Sequence, residues 1–370
     1  MKIGVPKEIK AQEYRVGLTP HGVAELCKHG HTVVVQTDAG KQIGFSDDSY
    51  REAGADIAET AVEIFAASEM IVKVKEPQAG ECKMLRPGQV LFTYLHLAPD
   101  PDQAHLLQKS DCTAIAYETV TNGSGGLPLL APMSQVAGRL SVQAGAQCLE
   151  IYRGGRGVLL GGVPSVAPGK VVIIGGGVVG TNAAHMAVGL RADVTIFDKS
   201  ISRLEQLDDL FNGQVRTLYA SDQAIKEAVL EADLVIGAVL LPGAAAPKII
   251  PKSWLKEMQP GSVLVDVSID QGGCFETSHA TTHDNPTYEV DGIVHYCVAN
   301  MPGAVARTST LALTNATLPY VLELADKGVK SAFSDNPCFA EGLNVYKGDI
   351  TNPAVAEALG ESFVAPAQVM

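Results

Sequence analysis

The clearest indication of fold in this chain is the stretch Lys170-Val-Val-Ile-Ile-Gly-Gly-Gly-Val-Val-Gly-Thr181. Its β-branched run, 171–174, favours a buried parallel strand. The glycines that follow form a Gly-x-Gly-x-x-Gly pattern, and a small-residue helix pattern comes next. Gly175 would permit the tight turn, Gly177 would let the backbone approach a pyrophosphate, and Gly180 would let the helix pack close to the strand. The free amides at the helix N-terminus would attract the anion, so the stretch predicts a dinucleotide site.

A second predicted strand, 193–197, is followed by Asp198, at the place where an acid that binds the adenosine ribose is expected. Its carboxylate can accept hydrogen bonds from both ribose hydroxyls, whereas a 2′-phosphate would meet like charge. We therefore expect NAD as cofactor rather than NADP. Lys199 and Arg203 would weaken this preference or are simply exposed cations at a helix start. The alternative to a nucleotide site is a glycine-rich turn in an unrelated α/β protein.

Composition limits the classes of function. At 370 residues, two domains are expected. A formal net charge of -13 argues against nucleic acid or an anionic membrane as a general partner. The seven scattered cysteines lack metal-ligand spacing and predict reduced thiols in a cytoplasmic protein, with neither disulfides nor a metal site. The N-terminus lacks the apolar region of a signal peptide, and no apolar run is long enough to span a bilayer.

Strand-like runs alternate with helical patterns along most of the chain, which predicts an α/β fold with parallel sheets. The first half supplies runs at 3–5, 32–35, 70–74, 90–94 and 112–117. The second half adds runs at 215–219, 234–238, 263–267 and 294–298, which with 171–174 and 193–197 complete the six strands of a doubly wound dinucleotide fold. We expect two Rossmann-like domains, of which only the second carries the glycine pattern.

Ligands of such sheets bind beyond the carboxyl ends of the strands. In the first half these ends carry Lys7, Arg15, Lys75, His96 and Glu118. Arg15, Lys75 and His96 form a coherent set, with two cations for a carboxylate and one group that titrates near neutrality. Each has a simpler interpretation, as a surface cation or as a hydrogen-bonded core histidine.

In the second half, turns rich in glycine, proline and short polar residues follow the strands, at 220–222, 239–243, 268–272 and 299–303. Asp270 is the ionisable residue there that we expect to face the nicotinamide end of the cofactor. The alternative interpretation is that Asp270 is the N-cap of a helix.

The domain order follows from two long helical patterns. Ser134 is predicted to be the N-cap of a helix that runs to about Tyr152, and a second helix is predicted from about Val305 to Lys327, ending at Gly328. We therefore expect a NAD-binding domain, 129–305, inserted into a discontinuous substrate domain, 1–128 plus 306–370. The two long helices would join them, with the active site in the cleft.

Several motifs together resemble the NAD-dependent L-alanine dehydrogenases of the alanine dehydrogenase and pyridine nucleotide transhydrogenase family. They are Met1-Lys-Ile-Gly-Val-Pro-Lys-Glu8, Glu13-Tyr-Arg-Val-Gly-Leu-Thr-Pro20, Val74-Lys-Glu-Pro77, Thr93-Tyr-Leu-His-Leu-Ala98, Gly175-Gly-Gly-Val-Val-Gly-Thr181, Asp266-Val-Ser-Ile-Asp-Gln-Gly-Gly273 and Asn300-Met-Pro-Gly-Ala-Val305. The resemblance implies that Arg15 and Lys75 bind the substrate and that His96 and Asp270 are the catalytic pair. The cofactor contacts that it implies are Ser134, Val178, Val179, Asp198, Arg203, Ala220, Val239, Leu240, Val267, Ser268, Ile269, Asp270, Val298, Ala299, Asn300 and Met301, beside the glycines. Ala220 stands where relatives often carry serine, and Ser221 is the expected substitute.

The resemblance also implies a reaction, the reversible oxidative deamination of L-alanine to pyruvate and ammonium, and a homohexameric assembly. Two other functions stay open from the residues. One is the soluble NAD-binding subunit of a proton-translocating transhydrogenase, which needs no amino-acid pocket. The other is a non-catalytic binding protein that responds to NAD.

Overall fold

The computed structural model describes residues 1–239 and 246–369. The chain divides into two compact units. The terminal unit consists of Met1–Met133 together with the chain from Val305 onward, and the central unit is Ser134–Ala304.

The strands and helices follow in chain order. The strands are β1 (Lys2–Val5), β2 (Thr32–Gln36), β3 (Asp56–Ala58), β4 (Met70–Val72), β5 (Val90–Thr93), β6 (Thr113–Ala116), β7 (Lys170–Ile174), β8 (Asp193–Asp198), β9 (Val215–Tyr219), β10 (Leu234–Gly237), β11 (Val263–Asp266), β12 (Thr287–Val290), β13 (Ile293–Tyr296), β14 (Leu343–Tyr346) and β15 (Asp349–Ile350). The helices are α1 (Pro20–Lys28), α2 (Asp47–Glu52), α3 (Ala61–Ala67), α4 (Ala79–Cys82), α5 (Pro101–Lys109), α6 (Ala131–Cys148), α7 (Val178–Gly189), α8 (Ile201–Phe211), α9 (Asp222–Glu231), α10 (Ala306–Asp335), α11 (Pro337–Ala340), α12 (Pro353–Leu359) and α13 (Pro366–Val369).

The terminal unit is built on an eight-stranded sheet in the order β15-β14-β6-β5-β4-β1-β2-β3. Strands β1 to β6 pair in parallel, and β14 and β15 are antiparallel additions at one edge. Strands β4, β5 and β6 are wholly buried and mostly apolar, as expected for parallel strands covered on both faces. Because β1, β4, β5 and β6 are neighbours, their carboxyl ends meet at one edge of the sheet.

The central unit has a seven-stranded sheet in the order β12-β13-β11-β10-β7-β8-β9. Its parallel strands follow the doubly wound 3-2-1-4-5-6 order, counting β7 as the first, and the strand order reverses between β7 and β10. This confirms the predicted dinucleotide fold. Strand β12, which is antiparallel to β13, is an addition that the sequence pattern did not predict.

The small residues of α6 pack this helix closely against α7. A Cβ atom at Gly138 would lie 2.2 Å from the carbonyl oxygen of Val179, which no side chain can tolerate. The prediction that Ser134 is the N-cap of this helix was wrong. The helix begins at Ala131, and Pro132 lies in its first turn, where a missing N–H costs no intrahelical hydrogen bond.

The second long helix also differs from its prediction. Gly328 has non-helical backbone angles, φ 74° and ψ 163°, and therefore interrupts the helix at the predicted place. The helical conformation resumes after this kink and continues to Asp335. Within the described residues, no helix has both the length and the apolar character that a membrane span requires.

Candidate functional site

Lys75, His96 and Glu118 follow β4, β5 and β6, so three of the predicted residues lie at one edge of the terminal sheet. Among them, the backbone of His96 is unusual, because its φ of 50° is left-handed. A non-glycine residue rarely adopts this conformation, and such positions cluster at functional sites when the surroundings hold them in place.

The Glu118 carboxylate holds the His96 backbone. Its Oε1 accepts hydrogen bonds from the amide of His96 at 2.6 Å and from the amide of Leu95 at 3.1 Å. The imidazole is half exposed, and its Nδ1 lies 3.8 Å from the same Oε1. One face of the ring stacks on Tyr94, with ring centroids 5.8 Å apart and an interplanar angle of 6°. The imidazole is therefore fixed in direction and open to solvent.

Arg15 is buried in a bidentate ion pair with Glu13, a partner that the sequence reasoning did not single out. Its Nε donates to Glu13 Oε1 at 2.7 Å and its Nη2 donates to Glu13 Oε2 at 2.6 Å. Burial alone would lower the pKa of Arg15, but the hydrogen bonds and charge of Glu13 raise it above its ordinary value. Arg15 is therefore a permanent cation.

Tyr94 contacts the imidazole of His96 and is affected by the charge of Arg15. Its ring stacks on His96, and its hydroxyl donates to the carbonyl oxygen of Leu129 at 2.6 Å. Burial raises the pKa of Tyr94, which the charge of Arg15 opposes, so the hydroxyl stays protonated.

Lys75 lies in the loop after β4, with its Nζ 3.5 Å from the Glu76 carboxylate. Glu76 also pairs with Lys10. Burial raises the pKa of Glu76, but Lys75 and Lys10 outweigh this effect and hold it below its ordinary value. Glu76 therefore pairs with two cations, Lys75 of the same loop and Lys10 of the loop after β1.

A buried cluster of three charges lies beneath the loop. Lys73 is fully buried, with its Nζ 2.9 Å from both Glu8 and Glu81. Glu8 also accepts hydrogen bonds from the amides of Val74 at 2.7 Å and Lys75 at 3.3 Å. The cluster therefore fixes the backbone that carries Lys75.

The glycine loop of the central unit fits a dinucleotide. Gly175 has φ 106°, and a Cβ atom there would lie 2.5 Å from the carbonyl oxygen of Ala238. A Cβ atom at Gly180 would lie 1.9 Å from the carbonyl oxygen of Gly175. Gly177, the N-cap of α7, faces open space with nothing within 4 Å of its Cβ position, so a pyrophosphate can approach the backbone there. Val178 and Val179 form the first turn of that helix.

Asp198 ends β8 beside this loop, as predicted. Its carboxylate accepts hydrogen bonds from the amides of Gly176 and Ser200, both at 2.8 Å. Arg203 donates through Nε to the carbonyl oxygen of Gly176 at 2.7 Å and through Nη2 to the Thr181 hydroxyl at 2.7 Å. Arg203 is therefore a support of the glycine loop, and not merely an exposed cation.

Asp270 is exposed within a short 3-10 turn, Ile269–Gln271, that follows β11. Ser268 is the N-cap of this turn, and its hydroxyl donates to the carbonyl oxygen of Val239 at 2.6 Å. The amide of Val267 donates to the carbonyl oxygen of Gly237 at 2.9 Å. These bonds join the ends of β10 and β11, so the predicted contacts 267–270 and Val239 lie together.

The remaining predicted contacts lie on other turns of the same unit. Val298 and Ala299 follow β13 and pair with Thr281. Asn300 has a left-handed φ of 59°, and Met301 is buried. Ala220 follows β9. Ser221 is the N-cap of α9, and its hydroxyl accepts a hydrogen bond from the amide of Ala224 at 3.3 Å. Ser134 begins the central unit within α6. Leu240 lies outside the described residues. The described part of the chain holds no cluster of three or more potential metal ligands.

The fold and the site residues define an α/β dinucleotide-binding oxidoreductase with a second, cation-lined sheet edge. Two family models, "Alanine dehydrogenase/PNT, N-terminal domain" and "Alanine dehydrogenase/PNT, C-terminal domain", match residues 4–137 and 141–353. The chain belongs to the alanine dehydrogenase/PNT family.

Relatives match along the full chain. The alanine dehydrogenase of Halomonas elongata is 60% identical over 370 residues, which is 100% of both chains. That of Bacillus subtilis is 57% identical, covering 98% of this chain and 96% of its own. A solved L-alanine dehydrogenase, 54% identical, superposes with a TM-score of 0.94 over 97% of this chain and 99% of its own. A solved transhydrogenase from Sinorhizobium meliloti has a TM-score of 0.82 over 96% of this chain and 100% of its own, but is 24% identical, and so shows the fold alone.

Proposed function

We propose that this chain is an NAD-dependent alanine dehydrogenase, which converts L-alanine, NAD and water reversibly into pyruvate, ammonium and NADH. The observation that carries the proposal is that an oriented imidazole, His96, and a cation, Lys75, lie at one sheet edge in a chain whose relatives over its full length are alanine dehydrogenases.

The terminal unit would bind the amino acid, and the central unit would bind NAD, as the domain assignment 1–128 plus 306–370 and 129–305 requires. Arg15 and Lys75 bind the substrate carboxylate and carbonyl oxygen. The guanidinium fork gives a defined geometry as well as charge. Because Glu13 already holds two of its nitrogens, Arg15 reaches the substrate as a prealigned group rather than as a mobile side chain.

His96 exchanges protons with the reacting oxygen. The substrate amine must be deprotonated for Cα to lose hydride, water then adds to the iminium, and the carbinolamine collapses to pyruvate and ammonium. Proton transfer by a positioned imidazole typically contributes roughly 10²- to 10⁴-fold in rate. Asp270 orients the water or ammonia and balances the cationic iminium.

The glycines 175, 177 and 180, Asp198 and the turns after β10, β11 and β13 would hold NAD, which supplies the hydride acceptor when it is bound. Asp198 selects the free ribose hydroxyls. Thr181 and Arg203 keep the glycine loop in the shape that the pyrophosphate needs.

We also propose a cytoplasmic homo-oligomer, in agreement with the hexamer that the family resemblance implies. The segment 151–166 of the central unit exposes five large apolar side chains, Ile151, Tyr152, Leu159, Val163 and Val166, each more than half accessible. Exposed apolar surface of this kind is typical of protein interfaces.

The decisive test is NADH formation when L-alanine is added to the protein with NAD, followed by absorbance. Alanine dehydrogenase activity predicts NADH that depends on L-alanine. A transhydrogenase subunit would form none without a partner nucleotide domain, and a non-catalytic NAD-binding protein would bind NADH with no turnover.

A further inference from the structure

Asp266, the last residue of β11, is a fully buried carboxylate that the proposed mechanism does not use. It accepts hydrogen bonds from the amide of Ser268 at 3.0 Å and, eight and nine residues further on, from the amides of Cys274 at 2.8 Å and Phe275 at 3.4 Å. The hydroxyl of Ser278 also donates to it. One carboxylate therefore ties together the two ends of the segment 267–275.

Its donors are backbone amides, a hydroxyl and the thiol of Cys274, whose Sγ lies 3.6 Å from Asp266 Oδ1, and none of these is a cation. A buried carboxylate is stable in such a place only while its hydrogen bonds are made, because desolvation of the charge is costly. Burial raises the pKa of Asp266, and the bonds from Ser278, Cys274 and Phe275 act in the opposite direction. The carboxylate and the segment therefore depend on each other.

The segment is shaped around Asp266. Gly273 has φ 75°, and a Cβ atom there would lie 2.6 Å from Asp266 Oδ2. Between the two fastened ends lies the short turn Ile269–Gln271, which presents Asp270 to solvent. The direction of the Asp270 side chain is therefore set by a turn whose two ends meet at Asp266.

We propose that Asp266 is a positioning residue, which clamps the segment 267–275 and thereby aims Asp270 and the cofactor-binding turn. The part of this inference that concerns Asp270 rests on the proposed function. Asp266 touches neither substrate nor cofactor in this account, and acts only through the segment.

The test is Asp266→Asn, compared with Asp233→Asn. Asp233 is a matched control, because its carboxylate also stabilises the central sheet. It accepts hydrogen bonds from the amide of Lys170 at 2.8 Å and from Arg156 Nη1 at 3.0 Å. It differs from Asp266 in its position, because it precedes β10 instead of ending β11. In Asp266→Asn, a carboxamide N–H₂ must face at least one backbone N–H. The segment should then lose its fixed shape, and a misplaced reacting group costs on the order of 10²-fold in rate.

Active sites are counted by binding of ADP-ribose, which carries the adenosine and pyrophosphate but no nicotinamide. We expect Asp266→Asn to bind ADP-ribose like the wild type and to lose kcat per site. Its amides at Ser268, Cys274 and Phe275 should exchange hydrogen faster than in the wild type. Asp233→Asn should keep both kcat per site and the slow exchange of these amides. A purely structural role would lower the number of sites and leave kcat per site unchanged.

Wild-type kcat per site in Asp266→Asn, or lost kcat with unchanged exchange, would overturn the inference. Should Asp266→Asn fail to bind ADP-ribose, Ser278→Ala decides, because it removes one donor and keeps the carboxylate. We expect the amides of Cys274 and Phe275 to exchange hydrogen faster in Ser278→Ala, and kcat to be several-fold lower. Wild-type exchange or wild-type kcat in this variant would refute the clamp. Failure of the proposed function would show as a wild-type protein that forms no NADH from L-alanine. The hydrogen exchange of the variants would still test the clamp in that case, because it does not depend on turnover.

Discussion

The backbone amide of His96 donates to Glu118 Oε1 at 2.6 Å, and His96 Nδ1 lies 3.8 Å from the same oxygen atom. The carboxylate thus acts mainly on the main chain of the histidine and holds the left-handed backbone, φ 50°, that aims the imidazole. Non-glycine residues at positive φ cost free energy, so this conformation persists only because its surroundings impose it.

Glu118→Gln should therefore reduce turnover without removing any group that meets the substrate. A glutamine oxygen in the place of Oε1 can still accept both amides, but the negative charge is lost and an N–H₂ group replaces Oε2, which accepts the amide of Leu95 at 3.2 Å. The hold on the backbone of His96 is therefore weakened. We expect kcat for L-alanine to fall by about 10- to 100-fold, as for other small displacements of a reacting group. The matched control is Glu361→Gln, which alters a partly exposed carboxylate 2.9 Å from His105 and should leave kcat unchanged. Equal kcat in Glu118→Gln and wild type would contradict this positioning role.

Asp198→Ala should weaken the preference for NAD over NADP. The change removes the negative charge that opposes a 2′-phosphate and leaves Arg203 beside the glycine loop. The ratio of kcat/KM for NAD to kcat/KM for NADP is the measurement. Asp209→Ala, which alters an exposed acid on α8, should leave the ratio unchanged. A ratio for Asp198→Ala equal to that of wild type would remove the assignment of Asp198 to the ribose.

Lys73→Met should strongly destabilise the terminal unit, because it leaves Glu8 and Glu81 buried without their cation. Loss of one partner from a buried ion pair typically costs about 3–5 kcal/mol. The control Lys226→Met breaks a partly exposed ion pair with Glu257 and should cost less than about 1 kcal/mol. Urea unfolding of both variants gives the free energies. A cost for Lys73→Met as small as that of the control would show that the cluster does not stabilise the fold.

The pH dependence of the same cluster has a defined sign. Burial alone would lower the pKa of Lys73, but Glu8 and Glu81 raise it above its ordinary value of 10.5. A raised lysine pKa stabilises the folded state fully below 10.5, and the contribution disappears as the pH rises through the folded-state value. The stability difference between wild type and Lys73→Met should therefore persist at neutral pH.

Much of the fold could be predicted because its signals are local. The β-branched run before Gly175 and the glycine spacing are contained in a dozen residues, and the buried parallel strands are continuous apolar runs. Strand β3 was missed because its residues, Asp56–Ala58, are few and partly exposed. Strand β12 was missed because the burial of its residues, Thr287–Val290, alternates between exposed and intermediate at an edge of the sheet.

The supports of the site could not be predicted, because they join residues that are distant in sequence. Glu118 follows a strand end and was a candidate by position, but its bonds to the amides of Leu95 and His96 depend on how β5 and β6 align. Lys73 is an interior cation, and it is tolerated because Glu81 and Glu8, the latter 65 residues earlier, are also buried. Neither the periodicity of the sequence nor the spacing of its residues identifies such pairs.

We propose that His96 and Asp270 carry the chemistry of an NAD-dependent alanine dehydrogenase. The direct measurement is the rate of NADH formation from L-alanine by wild type, His96→Ala and Asp270→Asn, with NADH binding measured in parallel by fluorescence. We predict that the wild type forms NADH, that both variants lose turnover by roughly 10²-fold or more, and that His96→Ala still binds NADH normally. Wild-type kcat in either variant would contradict its assignment, and a wild type that forms no NADH from L-alanine would contradict the function itself.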